Sequence, residues 1–139
     1  VMLGVSQTEI AETIARLEKQ RIIIKYPALI HWEKVETEQV EALIEVRITP
    51  MRDRGFDAVA EQIYRFDEVS SVFLMSGGYD LMVMLKARTL KQLALFVAEK
   101  LSTIEGVMST ATHFVLKKYK TEGVIIDETA EDDRLQVSP

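Results

Sequence analysis

No cysteine occurs anywhere in the 139 residues. That excludes a disulfide framework, a thiolate metal site and a cysteine nucleophile, and it fits a reducing, cytoplasmic setting. Histidine is scarce as well. His31 and His113 are the only two, and neither has an acid or a second ligand nearby at a metal-site spacing, so structural or surface roles are expected for both and no metal is. No apolar run approaches the roughly twenty residues that a membrane-spanning helix needs, and no membrane partner is expected. A secretory leader is not expected either, because Val1-Met2-Leu3 gives way at once to Gly4, Ser6, Gln7 and Glu9. Basic residues are not in excess: the formal net charge is −5, and no basic stripe announces nucleic acid by charge alone. The six methionines, Met75, Met82 and Met84 among them, read as core or interface filling rather than as a metal or haem site. No cofactor is expected.

What is present is unevenly distributed. Of the 22 acidic residues, Glu122, Asp127, Glu128, Glu131, Asp132 and Asp133 fall in the stretch 121–139, against the single base Arg134. The rest of the chain is balanced in charge. Residues 127–139 read as an acidic, solvated, flexible tail, with a lure for a basic partner as the competing reading.

Ser6-Gln7-Thr8-Glu9 is a capping box, with Val5 and Ile10 placed as a hydrophobic staple. Ile10, Ile14 and Leu17 continue at helical spacing, predicting a helix to about Gln20. Ile22-Ile23-Ile24-Lys25-Tyr26 is β-prone and is stopped by Pro27. Ala28-Leu29-Ile30 is a second extended piece, and the polar stretch from Glu33 to Gln39 completes a linker. From Val40, Ala42, Ile44, Val46 and Ile48 alternate with Glu41, Glu45 and Arg47, a strand that ends at Pro50. Phe56, Val59, Ala60 and Ile63 mark a helix with Asp53 as its cap. Val69–Ser76 is a strand. Gly77-Gly78 supplies two positive-φ positions for a tight hairpin turn, and Tyr79–Ala87 is the next strand, apolar on both faces from Leu81 to Leu85. Thr89 and Gln92 form a second capping box, opening a helix through Leu93, Phe96, Val97, Leu101 and Ile104 that Gly106 terminates. Val107 to about Tyr119 reads as a long last strand.

The order β-α-β-β-α-β predicts an α+β fold, a ferredoxin-like split βαβ sandwich. Its first and third strands are central, which suits the unbroken Leu81–Leu85 run. Helices cover one sheet face. The other, bearing Leu43, Phe73, Met75 and alternate residues of Leu81–Leu85, would be a large wet apolar patch unless covered. The same face of a second subunit is the simplest cover, so a homodimer is expected.

Several of these features together resemble the Lrp/AsnC (feast/famine) transcription regulators. Leu3-Gly4-Val5-Ser6 is similar to that family's turn between DNA-binding helices. Ile14-Ala15-Arg16-Leu17-Glu18 with Ile22-Ile23 resembles the recognition helix and the strand leaving it. Gly77-Gly78-Tyr79-Asp80 resembles the glycine–x–aromatic–aspartate hairpin, and Gly106-Val107 with Thr110 and Thr112 the start of the last strand. The likeness runs from about Leu3 to Ile126. It implies a partial helix-turn-helix over 1–26, a linker over 27–39 and a ligand-sensing, oligomerising (RAM-type) domain over 40–126. It further implies a non-enzymatic regulator that forms dimers and higher homo-oligomers (tetramer or octamer). On this reading the sensing domain binds a small effector, an amino acid, and the intact protein binds duplex DNA.

Two sets of site residues follow, each with a bland competitor. Gly77, Gly78, Tyr79, Asp80, Thr110 and Thr112 form the effector set. Glycine-exposed backbone donors would hold a carboxylate, Asp80 would pair an ammonium, and the two hydroxyls share one strand face. The competing reading is a plain hairpin with an exposed aspartate. Ser6, Gln7, Thr8, Glu12, Thr13 and Arg16 form the DNA set; the competing reading is an ordinary solvated face, on which Glu9, Glu12 and Glu18 repel phosphate. Two functional alternatives stand beside the regulator. One is a ligand-binding or assembly module that does not touch DNA. The other is a protein like the haem-precursor decarboxylases, for which His113 is the only support.

Overall fold

The computed structural model describes residues 4–50, 52, 53 and 55–126; the expected acidic tail lies outside them. The chain divides into two compact units, Val1–Ile30 and His31–Pro139.

The first unit is built on α1, Gln7–Lys19. Its start is the expected capping box: the Ser6 hydroxyl accepts the Glu9 N–H at 3.2 Å and the Glu9 carboxylate accepts the Ser6 N–H at 3.3 Å. The helix closes as Ile22 and Ile23 both donate to the Leu17 carbonyl, with Arg21 at φ 57°. Residues 22–26 therefore form the helix exit and not the expected strand. Extended backbone becomes a strand only with a neighbour to take its N–H and C=O groups, and among the described residues none pairs with this segment. A 3-10 turn at Trp32–Lys34 opens the second unit.

That unit is a four-stranded antiparallel sheet of β1 (Val40–Ile48), β2 (Val69–Leu74), β3 (Leu81–Ala87) and β4 (Val107–Phe114) in the order β2-β3-β1-β4. The helices α2 (Phe56–Tyr64) and α3 (Leu90–Phe96) make the two crossovers, so β1 and β3 are central as expected. The period-2 pattern decides the faces. Ala42, Ile44, Val46 and Ile48 of β1 and Leu81, Val83 and Leu85 of β3 are buried with Val59 and Ile63 of α2 and Leu93, Phe96, Val97 and Leu101 of the second crossover. Fully burying each large member of this core contributes about 1.5–3 kcal/mol.

The structure corrects several local expectations. Gly55 caps α2 with no side-chain bond, not Asp53. The second crossover widens over Val97–Leu101 into a π-turn closed by the Ser102 N–H on the Val97 carbonyl, a local insertion that aims Phe96, Val97 and Leu101 into the core together. Gly106, at φ 97°, follows a turn rather than ending the helix directly. The last strand stops at Phe114, and a short hairpin follows, β5 (Lys120–Thr121) and β6 (Val124–Ile125), turned by Glu122 and Gly123 at φ 50° and 80°.

One ion pair ties the elements together at the surface. Lys100 donates to Glu68 at 2.9 Å and lies over the rings of Phe66 and Phe96, which meet edge to face. The Lys100 hydrogen bond, aided by a backbone N–H, holds the Glu68 carboxyl below the usual glutamate range. A depressed folded-state pKa stabilises above the unfolded value and the benefit fades as pH falls through the folded value. Because both groups are largely wet, Glu68→Gln is expected to lower unfolding free energy by no more than about 1 kcal/mol at neutral pH. The loss should vanish in acid below the folded pKa; urea melts at both pH values check this.

Candidate functional site

The hairpin between β2 and β3 is longer than a two-residue turn. The last strand pair is Leu74 with Leu81, and the Met75 N–H donates to the Asp80 carbonyl at 2.8 Å. Only Gly77 takes a positive φ, 123°; Gly78 does not. A four-residue loop spanning 76–79 needs only one such residue, which is why the second expectation failed. Gly77 and Gly78 are exposed, and a Cβ at either would meet nothing within 4 Å. Tyr79 is half-buried, its hydroxyl directed at the Met82 sulfur at 4.0 Å.

Asp80 is not the free, exposed acid of a plain hairpin. It is half-buried, its carboxylate Oδ2 accepts the Ile48 N–H at 2.8 Å, and its own N–H donates to the Val46 carbonyl at 3.0 Å. Asp80 therefore fastens the hairpin to the end of β1. On the other side of β1, Val46 pairs with Thr110 and Ile44 with Thr112. Paired residues share a face, so both threonines lie on the helix-facing side of the edge strand β4, as their common parity required. Thr110 is half-buried, with its hydroxyl 3.4 Å from that of Ser102; Thr112 is exposed. The structure thus brings Asp80 and Thr110 to opposite flanks of Val46, with Thr112 two residues further along β4.

Within the second unit, no described helix packs on the opposite sheet face. Leu43 of β1, Phe73 of β2 and Met82 and Met84 of β3 occupy it, because Met84 pairs with both Leu43 and Ser71, and Met82 with Phe73. Phe73 is 49% exposed, and Leu43, Met82 and Met84 are half-buried. Polar groups rim this patch. His113 on β4 faces Glu45 at 3.4 Å. At the start of β1, Glu41 is 9% exposed and is held by Lys118 at 2.6 Å and Lys86 at 3.6 Å. Sequence reading missed the Glu41 cluster, because Glu41 follows the alternation of a solvent-facing position and Lys118 reaches it only through the chain path after β4. His31 sits at the opening of this unit with Nδ1 shut away from solvent and unbonded among the described residues.

In the first unit, Gln7, Thr8, Glu12, Thr13 and Arg16 are all exposed, and α1 buries none of its residues. Ser6 and Thr13 are partly committed: the first caps the helix, and the second donates its hydroxyl to the Glu9 carbonyl at 2.8 Å. Val5, Glu9, Glu12, Thr13 and Arg16 line one shallow groove, so the face is mixed in charge, as read from the sequence.

A profile of the Lrp/AsnC ligand binding domain matches residues 41–125, which span the whole sheet, both crossovers and the last hairpin. The chain belongs to the Lrp/AsnC family. It is 50% identical over 139 residues to the HTH-type transcriptional regulator YugG of Bacillus subtilis, covering 99% of this chain and 84% of that protein. Among solved structures, the transcriptional regulator NMB0573 of Neisseria meningitidis, in complex with L-methionine, superposes with a TM-score of 0.69 at 25% identity over 91% of this chain and 81% of the other. E. coli AsnC superposes with a TM-score of 0.71 at 20% identity over 91% of this chain and 82% of its own, a likeness of fold. The chain is therefore an Lrp/AsnC-type transcription regulator with a ligand-binding domain of ferredoxin-like topology. No described helix is long and apolar enough to cross a membrane.

Proposed function

We propose that this Lrp/AsnC regulator acts by binding and assembly rather than by catalysis. An amino-acid effector held near the β2–β3 hairpin shifts the association of the ligand-binding domains, and that association sets how the α1 faces are presented to duplex DNA. The observation that carries this reading is the uncovered sheet face, where Leu43, Phe73, Met82 and Met84 form an apolar centre inside a charged rim. A sheet already packed on two helices gains by burying its second face, and the same face of a second copy offers a self-complementary cover. Such an interface buries upward of about 1,200 Å² in total, and tetramers or octamers are built from the dimer.

For the effector, Gly77 and Gly78 offer backbone donors unshielded by side chains. Asp80 has its second carboxylate oxygen to offer an ammonium, and Thr110 and Thr112 supply hydroxyls. The methionine complex of the 25% identical Neisseria regulator supports an amino acid as the ligand class. Coupling is thermodynamic: an effector that binds one assembly better than another must shift the balance between them. On the DNA side, Gln7, Thr8 and Arg16 are the side chains of α1 free to reach bases and phosphates, with Ser6, Glu12 and Thr13 beside them.

Sedimentation velocity at micromolar concentration, with and without L-methionine, tests the proposal. A dimer or larger species whose distribution moves with methionine is expected. A monomer in both conditions would overturn it.

A further inference from the structure

The chain that follows β4 carries apolar side chains that its own fold leaves in water. Leu116 is 93% exposed, Tyr119 66%, Val124 50% and Ile125 60%. Leu116 does not lie at a loose end, because the segment is tied down on both sides of it. The Val115 N–H donates to the Glu41 carbonyl at 2.9 Å, and the Lys118 ammonium holds the Glu41 carboxylate at 2.6 Å. Further on, the Ile126 N–H donates to the Tyr119 carbonyl at 2.9 Å and closes the β5–β6 hairpin. A hairpin of two such short strands is marginal in water at best. Its apolar side chains gain stability only against a further surface.

The anchor of the segment shows which surface that is. Glu41 pairs with Lys86 and, by strand alternation, shares the open sheet face with Leu43 and Met84. The segment therefore leaves the sheet at a corner of that face, past the end of the edge strand β4. The face alone is a small interface. Phe73 is half exposed and Leu43, Met82 and Met84 are half-buried. Taking about 200 Å² for a whole large side chain, these four together still offer at most about 300 Å² to a partner. A stable interface buries about 800 Å² per partner, about 500 Å² of it apolar. On the same scale, Leu116, Tyr119, Val124 and Ile125 expose about 500 Å² more. The segment thus supplies the apolar area that the face lacks.

We propose that residues 115–126 form an arm that packs on a second copy of this chain, with Leu116 as its anchor, and so extends the sheet-face dimer at its rim. Two-fold symmetry gives each copy one arm to offer and one to receive. Because Glu41 already fixes the arm, little conformational entropy remains to be lost on docking. The arm rests on the sheet-face dimer proposed for this regulator and adds to it a second, separately removable contact.

Sedimentation equilibrium of the full chain, wild type beside Leu116→Ser, Leu90→Ser and Met84→Lys, tests the arm, with circular dichroism to confirm folding. Leu116 lies almost wholly in water, so its replacement leaves the protomer intact. Burial of two symmetry-related leucines means that Leu116→Ser should raise the dissociation constant by at least about a hundredfold. Leu90, 54% exposed on α3, lies on the helical side of the sheet, and its replacement should change nothing. A dimer that Met84→Lys dissociates and Leu116→Ser leaves unchanged overturns the arm alone. Equal weakening by Leu90→Ser and Leu116→Ser also overturns it, since the loss of any exposed leucine would then have the same effect. A wild-type monomer defeats the sheet-face dimer and the arm together.

Discussion

Met84→Lys is expected to abolish the proposed dimer and leave a monomer at micromolar concentration. Met84 stands at the centre of the open sheet face, opposite Leu43 on one side and Ser71 on the other. It points away from the helices, since Val83 and Leu85 on either side are fully buried beneath them. In an isolated protomer a lysine there reaches water through a long stem, so folding should be little affected. In a dimer built on this face the ammonium would be buried without a partner, a situation that costs about 3–5 kcal/mol. Two-fold symmetry makes each substitution count twice. The dissociation constant should therefore rise by at least about ten-thousandfold. Analytical ultracentrifugation of wild type and variant, with circular dichroism to confirm the fold, decides the matter. An unchanged sedimentation coefficient in a well-folded Met84→Lys protein would place the interface elsewhere.

The second large effect concerns Asp80, for which two substitutions should separate two roles. Asp80→Ala removes the acceptor for the Ile48 N–H, and Ile48 is nearly buried, at 6% exposed. Leaving that donor unsatisfied costs about 1–3 kcal/mol, and the hairpin keeps only the backbone bond from the Asp80 N–H to the Val46 carbonyl. Asp80→Asn keeps an acceptor oxygen and abolishes the charge. Its stability should fall by about 1 kcal/mol or less, while an ammonium-bearing effector should lose roughly tenfold to a hundredfold in affinity. Thermal unfolding and calorimetry with L-methionine, on both variants, give the two readouts. Equal effector affinity for wild type and Asp80→Asn would leave Asp80 as a purely structural clamp.

These two residues also show how far sequence reading reached. The face assignment of Met84 followed from alternation alone, because a strand's period of two is fixed by covalent geometry. The role of Asp80 did not, because its partner Ile48 is 32 positions away and nothing local signals that contact. The same contrast holds elsewhere. The Ser6–Glu9 capping box formed as read, since all of its atoms lie within one turn. The expected strand at 22–26 did not form, because β structure needs a neighbour that no local pattern can guarantee. Asp53 was read as a cap by residue type, yet Gly55 took the position, since the exact point where a chain enters a helix depends on the loop that delivers it.

By itself, then, the sequence determined the local and periodic features: element types, the order β-α-β-β-α-β, the central placement of the Leu81–Leu85 strand and the apolar second face. Each of these is written in the spacing of side chains along one segment. Only the tertiary structure decided what distant segments do to one another. It bound the Asp80 carboxylate to β1, buried Glu41 between Lys86 and Lys118, and clasped Lys100 between Glu68 and two aromatic rings. Those arrangements arise where strands and crossovers from separate parts of the chain converge, and charge pairing at such junctions follows proximity in space rather than proximity in sequence.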